Sequence, residues 1–207
     1  MDEEKIKLHH WPLPKESRGS YLPLLEQRAK ENPNDSYSKL YLSQQYNYSG
    51  MYEKSNKSFL EFIEKFTNKV GTIEIANSYY FMGKNYVELK DYQNAEKYYR
   101  KALETDPTYR DTYIALAELS MKRKEYKFAR FYLEEALLKS YRHYNWLEDN
   151  GYSYDIYDML DIACFYSGDK KSALAYAAKA FSMTNEERIK ENLIVVANAV
   201  EDNDLLK

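Results

Sequence analysis

The chain has 207 residues, of which 44% are hydrophobic and 30% are charged, so it can form a packed core and is not disordered throughout. Its formal net charge of -3 gives no basic surface for nucleic acid, and 6 Gly and 5 Pro do not suit a turn-rich all-β protein. No run of 18 apolar residues is present, so we expect no membrane span. Residues 1–16 lack an apolar signal region and Cys164 is the single cysteine, which together predict a cytoplasmic protein.

The first predicted element is a leading helix in the stretch SYLPLLEQRAKENP, after an N-terminal junction segment of residues 1–19. This helix ends before Pro33, because proline cannot continue a helix interior. Residues 36–66 follow as the first predicted pair of helices. Its apolar and small residues recur at helical spacing, and they are Leu42, Ser43, Tyr46, Tyr52, Ser55, Phe59 and Phe62.

The second predicted pair, residues 76–107, has the clearest pattern. Tyr79, Met82 and Tyr86 in its first half recur at intervals of three and four residues, which places them on one face of a helix. Gly83 and Ala95 are small, which lets the two helices cross closely. Asp91 is a candidate N-cap for the second helix, and Pro107 ends the pair. The pattern positions are Tyr79, Met82, Gly83, Tyr86, Tyr92, Ala95, Tyr99, Ala102 and Pro107.

The same pattern returns 34 residues later in the third predicted pair, residues 110–140. Tyr126 and Ala129 stand where Tyr92 and Ala95 stood. An aromatic insertion at residues 140–155 separates this pair from a fourth one at residues 154–183. A closing helix is predicted over residues 186–200, and a polar tail over residues 201–207. The predicted repeat array therefore covers residues 20–200.

The order of these residues, an aromatic, then L-G, Y, A, F, A and P over a 34-residue period, is the tetratricopeptide signature. Neither helix of such a pair can bury its apolar stripe alone, so stacked pairs bury it together. The sequence therefore predicts an all-α, right-handed tetratricopeptide-repeat solenoid of about four helix pairs with leading and closing helices.

The array as a whole resembles the C-terminal repeat region of bacterial or phage family-2 glycosyltransferases. The resemblance rests on the junction LHHWPLPKESRGSYLPLLEQRAKENPNDSYSKLYLSQQYNYSGMYEKS and on the later stretches YDMLDIACFYSGDKKSAL and ERIKENL. In those enzymes an α/β catalytic domain with a D-x-D motif precedes the repeats. This chain has no strand-rich segment long enough for such a domain. The resemblance therefore implies a non-catalytic repeat module whose catalytic domain lies elsewhere.

Motifs that could carry chemistry are few. Asp202 and Asp204 have D-x-D spacing, but they lie in the predicted polar tail and not at the end of a strand. His9 and His10 are adjacent, His143 is far from them, and no cysteine pair accompanies any of the three. We therefore predict no catalytic residue, no metal site and no cofactor.

The predicted binding site is the concave groove lined by the first helix of each pair. We expect the inner positions of this groove to point to solvent and to bind either a protein segment or a glycan acceptor, although they also fit an ordinary solvated face. The fourth pair adds an acidic wall with Asp155 and Asp158. The predicted groove residues are Tyr37, Gln44, Asn47, Asn77, Tyr80, Lys84, Asp111 and Glu118.

Three functions are compatible with these patterns. The first is a repeat module of a glycosyltransferase-like protein, which binds an acceptor or partner and scaffolds a catalytic domain absent from this chain. The second is a stand-alone tetratricopeptide adaptor between proteins, without any link to sugars. The third is oligomerisation through tyrosine-rich faces, since the chain contains 23 tyrosines.

Overall fold

The computed structural model describes residues 21–139 and 154–205, and within these ranges it contains ten α-helices and no β-strand. Of residues 202–205 only the helical backbone is described. The helices are α1 (Leu22–Glu31), α2 (Ser36–Tyr48), α3 (Tyr52–Phe66), α4 (Thr72–Glu88), α5 (Tyr92–Thr105), α6 (Arg110–Lys122), α7 (Tyr126–Leu138), α8 (Tyr154–Ser167), α9 (Lys170–Phe181) and α10 (Glu187–Leu205). The chain divides into two compact units, Met1–Phe66 with α1–α3 and Thr67–Lys207 with α4–α10.

Each predicted pair forms a hairpin of two packed helices: α2 with α3, α4 with α5, α6 with α7, and α8 with α9. The helix α4 begins before the predicted start of its pair at residue 76, and α10 continues past residue 200 into the predicted polar tail. The junction segment and most of the aromatic insertion, residues 140–153, lie outside the described residues. Over the described ranges, no helix combines the length and the apolar character that a membrane span requires.

The same turn joins the two helices of every hairpin. One residue of each turn has a left-handed backbone, two positions before the second helix begins, and these residues are Gly50 (φ 73°), Lys90 (φ 60°), Lys124 (φ 60°) and Gly168 (φ 93°). The following residue donates its backbone N–H to a carbonyl five positions earlier, as from Asp91 to Tyr86 at 2.8 Å. This bond satisfies a carbonyl that the helix end would leave unpaired. The turns of the four hairpins therefore share the left-handed residue and the backbone hydrogen bond that follows it.

Aspartates cap the second helix in two of these hairpins. The Asp91 carboxylate accepts the backbone N–H of Asn94 at 3.1 Å, so the predicted N-cap is confirmed. Asp169 accepts the N–H and the hydroxyl of Ser172 in the same way, at 3.1 and 2.7 Å. The bonds from Ser172, with that from Arg130, lower the pKa of Asp169 to about 2.

The two helices of a hairpin cross where one partner is small. A Cβ added to Gly83 would lie 2.4 Å from the ring of Tyr99, so only glycine leaves room for that ring. The prediction that the two helices cross closely at Gly83 is therefore correct. A small residue is needed there because the ring of Tyr99 occupies the space that a side chain would fill. In the other hairpins the equivalent buried pairs, also sixteen residues apart, are Ser43 with Phe59, Ala117 with Leu133, and Asp161 with Ala177.

Ion pairs connect successive hairpins in the second unit. Arg123, in the turn of the third hairpin, contacts Glu96 on α5 at 2.5 Å. Arg130 on α7 contacts Asp169, in the turn of the fourth hairpin, at 2.8 Å. In the first pair the carboxylate lies on the helix and the guanidinium in the turn. In the second pair the guanidinium lies on the helix and the carboxylate in the turn.

Candidate functional site

A cleft of about 300 Å³ lies in the second unit, between α4 and α6 and above α5. These two helices are the first helices of the second and third hairpins, which is where the groove was predicted. Four predicted groove residues line the cleft, namely Tyr80, Lys84, Asp111 and Glu118. Further lining residues, which sequence reasoning did not select, include Glu88, Tyr99, Ala115 and Lys122.

The floor of the cleft is aromatic and buried. The Tyr80 side chain is 5% exposed, and its ring packs edge-on against Tyr109, with the ring centroids 5.3 Å apart. The ring of Tyr99 lies 6.0 Å away on another side. Asn77 is 4% exposed and donates from its Nδ2 to the hydroxyl oxygen of Tyr109 at 2.8 Å. The expectation that Asn77 and Tyr80 point to solvent is therefore wrong, because Tyr109 of the next repeat covers both.

The walls of the cleft carry charge. On α4, the Lys84 ammonium lies 5.5 Å from the centroid of the Tyr80 ring and 5.8 Å from that of Phe81. Such placements over aromatic faces are electrostatically favourable. On α6, Asp111 is half-buried and Glu118 is exposed. The two helices therefore present opposite charges near the middle of the cleft.

The remaining predicted groove residues lie on α2, in the first compact unit. Tyr37 is 57% exposed, while Gln44 and Asn47 are half-buried. Leu40, one turn before Gln44 on the same helix, is only 7% exposed and belongs to the core of its unit. The structure thus brings together four of the eight predicted site residues in the cleft, with Asn77 packed beneath it.

Of the two residues of the predicted acidic wall on α8, Asp155 is half-buried, whereas Asp158 is buried and bonded to another helix. Asp158 is 7% exposed, and its carboxylate accepts two bonds from Nη1 of Arg188 at 2.9 and 3.1 Å and one from Asn192 at 3.0 Å. Both donors lie on the closing helix α10. Asp158 therefore holds α10 against α8, and the expectation that it points into an open groove is wrong.

Asp161 lies one turn from Asp158 and was not selected as a functional residue. Its side chain is 3% exposed. Burial first, and then the negative charge of Asp158, raise the pKa of Asp161 to about 7. The sequence contained a signal for this residue. Asp161 occupies the repeat position of Gly83 in the second hairpin, which is a buried crossing position where a carboxylate is unusual.

The residues considered for chemistry do not form a reactive site within the described ranges. Cys164 is fully buried, and burial raises the pKa of its thiol to about 11, which disfavours the nucleophilic thiolate. No group of three or more metal-ligating side chains occurs among the described residues. His9, His10 and His143 lie outside the described residues, as do the side chains of Asp202 and Asp204.

Comparison with known proteins agrees with this architecture. A family model described as tetratricopeptide repeat matches residues 76–109, which form most of the second hairpin. A search of curated proteins found no match to the chain.

Several solved structures share the fold. The C-terminal part of a TPR repeat-containing protein from Cytophaga hutchinsonii superposes with a TM-score of 0.70 at 15% identity, over 91% of this chain and 68% of that one. MamA from Desulfovibrio magneticus RS-1, from residue 41 to its end, gives 0.65 at 18% identity, over 83% and 89%. A thermophilic TPR protein of Thermus thermophilus gives 0.53 at 19% identity, over 87% and 90%.

These matches support a tetratricopeptide-repeat domain and an all-α fold of the predicted class. At such low identities they establish the fold and not a function. The narrower resemblance to glycosyltransferases is not supported by them.

Proposed function

We propose that this protein is a non-catalytic interaction module that binds a segment of a partner protein in the cleft between α4 and α6. The observation that carries the proposal is the composition of the cleft. It combines a preformed apolar floor at Tyr80, Tyr99 and Ala115 with charged side chains along both walls. Sites of this kind gain affinity from burial on the floor and selectivity from the polar groups around it.

A protein segment suits this cleft better than a glycan. A sugar would need the open face of an aromatic ring, but the rings of Tyr80 and Tyr99 are 5% and 3% exposed. Asn77, the predicted amide donor, already bonds to Tyr109. The floor therefore offers shallow apolar contacts rather than a stacking platform, which fits aliphatic side chains of a peptide.

The test is selection of short random peptides displayed on phage against the purified protein. Ala115 is 8% exposed on the cleft floor, so Ala115→Trp should fill the cleft and abolish binding of the selected peptides. Ala178→Trp, at an exposed alanine on α9, is the matched control and should leave binding unchanged. Circular dichroism establishes whether each variant folds; should Ala115→Trp fail to fold, the half-buried Val87 in the same cleft provides the substitute Val87→Trp. Peptides that bind both cleft variants as well as the parent would refute the proposal.

The narrower proposal is that the module serves a glycosyltransferase, and it rests on the sequence resemblance of the junction at residues 8–55 and of the later stretches YDMLDIACFYSGDKKSAL and ERIKENL. The stand-alone adaptor accounts for the described residues equally well. A sheet domain with a D-x-D motif encoded in frame ahead of Met1 would favour the glycosyltransferase form. We expect the purified chain to transfer no sugar from a nucleotide donor. Turnover that persists in an Asp202→Ala, Asp204→Ala double variant would contradict that expectation.

A further inference from the structure

The exposed face of α7 carries a patch of large apolar side chains, here called the α7 patch. Phe128, Phe131 and Leu138 are 61%, 55% and 75% exposed, and their spacing of three and seven residues places them on one face of the helix. Glu135 lies on the same face, where its carboxylate is bonded to Lys139 at 2.9 Å. Together the three apolar side chains expose on the order of 300 Å². Exposed apolar patches of this size are often interaction sites.

The hairpin fold does not require apolar side chains at these positions. The four hairpins can be aligned on the buried small residue near the start of each second helix, which is Ser55, Ala95, Ala129 or Ala173. In this alignment the other three hairpins have only polar or small residues where α7 has its patch. They are Lys54, Lys57 and Glu64 on α3, Asn94, Lys97 and Glu104 on α5, and Ser172 and Ala175 on α9 with Ser182 after it. The α7 patch therefore serves something other than the folding of its hairpin.

The charges beside the α7 patch have a self-complementary order. Lys127 lies four residues before Phe131 and Glu134 three residues after it, and both lie on the same side of the patch. Glu134 accepts a bond from Arg130 at 2.8 Å and interacts with Tyr176, and its side chain is still 40% exposed. A carboxylate can accept several bonds, so a further cation can be added to it. If two copies of α7 pack antiparallel, Lys127 of each copy faces Glu134 of the other, whereas parallel packing opposes like charges.

We propose that the protein forms a two-fold symmetric dimer through the α7 patch, with the two copies of α7 antiparallel and crossing near Phe131. The Phe131 rings meet at the symmetry axis, Phe128 of each copy packs beside them, and the pairs between Lys127 and Glu134 fix the direction of the helices. The two-fold symmetry closes the assembly at two copies. No residue of α7 lines the cleft between α4 and α6, so the dimer presents two copies of that cleft.

Sedimentation equilibrium of the purified protein measures this association. The mass should rise from one chain to two between about 1 and about 500 µM, a range that spans the dissociation constant expected of a small interface. Phe131→Asp should weaken the dimer about a hundredfold or more, because it places a carboxylate at the centre of the interface. Val195→Asp is the matched control, since Val195 is an apolar residue of α10 with 59% exposure, and it should leave the dissociation constant unchanged. Equal weakening by both variants would overturn the inference.

A charge exchange tests the direction of the helices. Lys127→Glu should weaken the dimer about tenfold, and combining it with Glu134→Lys should restore most of the parent affinity, because the pair is then re-formed with its charges exchanged. The control is Lys171→Glu, at the equivalent exposed position of α9, which changes the net charge equally and should have no effect. Circular dichroism establishes whether each variant folds. Should the double variant not fold, the comparison of Lys127→Glu with Lys171→Glu remains, and equal effects of these two would overturn the inference.

Three further outcomes would also overturn the dimer. The first is a mass of one chain at every concentration, which would leave the proposed function intact because α7 does not line the cleft. The second is growth beyond two copies, which a closed two-fold interface does not allow. The third is a loss of monomer stability in Phe131→Asp as large as that of a core substitution, measured by urea denaturation, because the α7 patch would then be covered within its own chain. Failure of the peptide selection described above, with the dimer intact, would overturn the proposed function alone.

Discussion

Replacement of Asp161 by asparagine should make the protein more stable at neutral and higher pH. Its carboxyl is 3% exposed, and its pKa is raised from 3.8 to about 7 by burial and by Asp158. In the unfolded chain this group loses its proton near its ordinary pKa. The folded state therefore holds a proton between pH 4 and pH 7, approximately, that the unfolded state has released.

The sign and size of the effect follow from this difference. Because the unfolded state binds fewer protons in this window, the free energy of unfolding falls as pH rises from about 4 to about 7. A difference of about three pKa units corresponds to at most about 4 kcal/mol at pH 8. Asparagine has nearly the same shape but cannot ionise. Asp161→Asn should therefore match the parent at pH 4 and exceed its stability at pH 8.

Urea denaturation, followed by circular dichroism between pH 4 and pH 8, measures this prediction. Glu104→Gln, at an exposed position on α5, is the control and should reproduce the pH dependence of the parent. If the stability of Asp161→Asn falls with pH as steeply as that of the parent, another group causes the dependence. The reasoning from burial of Asp161 would then be wrong.

Three further substitutions test the packing. Tyr80→Ala should lower the free energy of unfolding, measured by urea denaturation, by about 3 to 5 kcal/mol because a buried ring is lost. Tyr37→Ala, at an exposed position, should change it by no more than about 0.5 kcal/mol. Equal effects of the two substitutions would contradict the burial of Tyr80. Gly83→Ala should cost about 1 to 3 kcal/mol through its clash with Tyr99, and Tyr99→Leu should relieve that cost, as measured by a double-mutant cycle. Lys90→Gly should raise the free energy of unfolding by about 0.5 kcal/mol, and with it the thermal midpoint, because a left-handed backbone is costly for lysine. An unchanged or lower midpoint would show that the greater conformational entropy of glycine in the unfolded chain dominates.

The candidate site was predictable in part. The repeat frame identified α4 and α6 as the helices that line the cleft, and it selected Lys84, Asp111 and Glu118 correctly as cleft residues, although their binding role stays a prediction. It missed Lys122 and Glu88, which lie one turn further along the same faces. Their signal was present, since a position one turn from a lining residue shares its face.

The repeat pattern in the sequence could not predict that Tyr80 is buried. Helical periodicity assigns a residue to a face of its own helix, but it does not give the side chains that the next repeat places over that face. Here Tyr109, near the start of the following repeat, packs on the ring of Tyr80 and accepts the bond from Asn77. A smaller residue at position 109 would leave both more exposed.

The sequence by itself determined the helices, the hairpin turns and the small residues at the crossings. All of these follow from interactions between residues close together in the chain: helical periodicity, N-caps such as Asp91, and proline at the end of a repeat. Only the tertiary structure decided which side chains are buried and how their charges behave. The pKa of Asp161 depends on burial and on the Asp158–Arg188 pair, whose partners are thirty residues apart in sequence. Electrostatics and burial act through space, so contacts between distant segments set them, and local patterns do not contain that information.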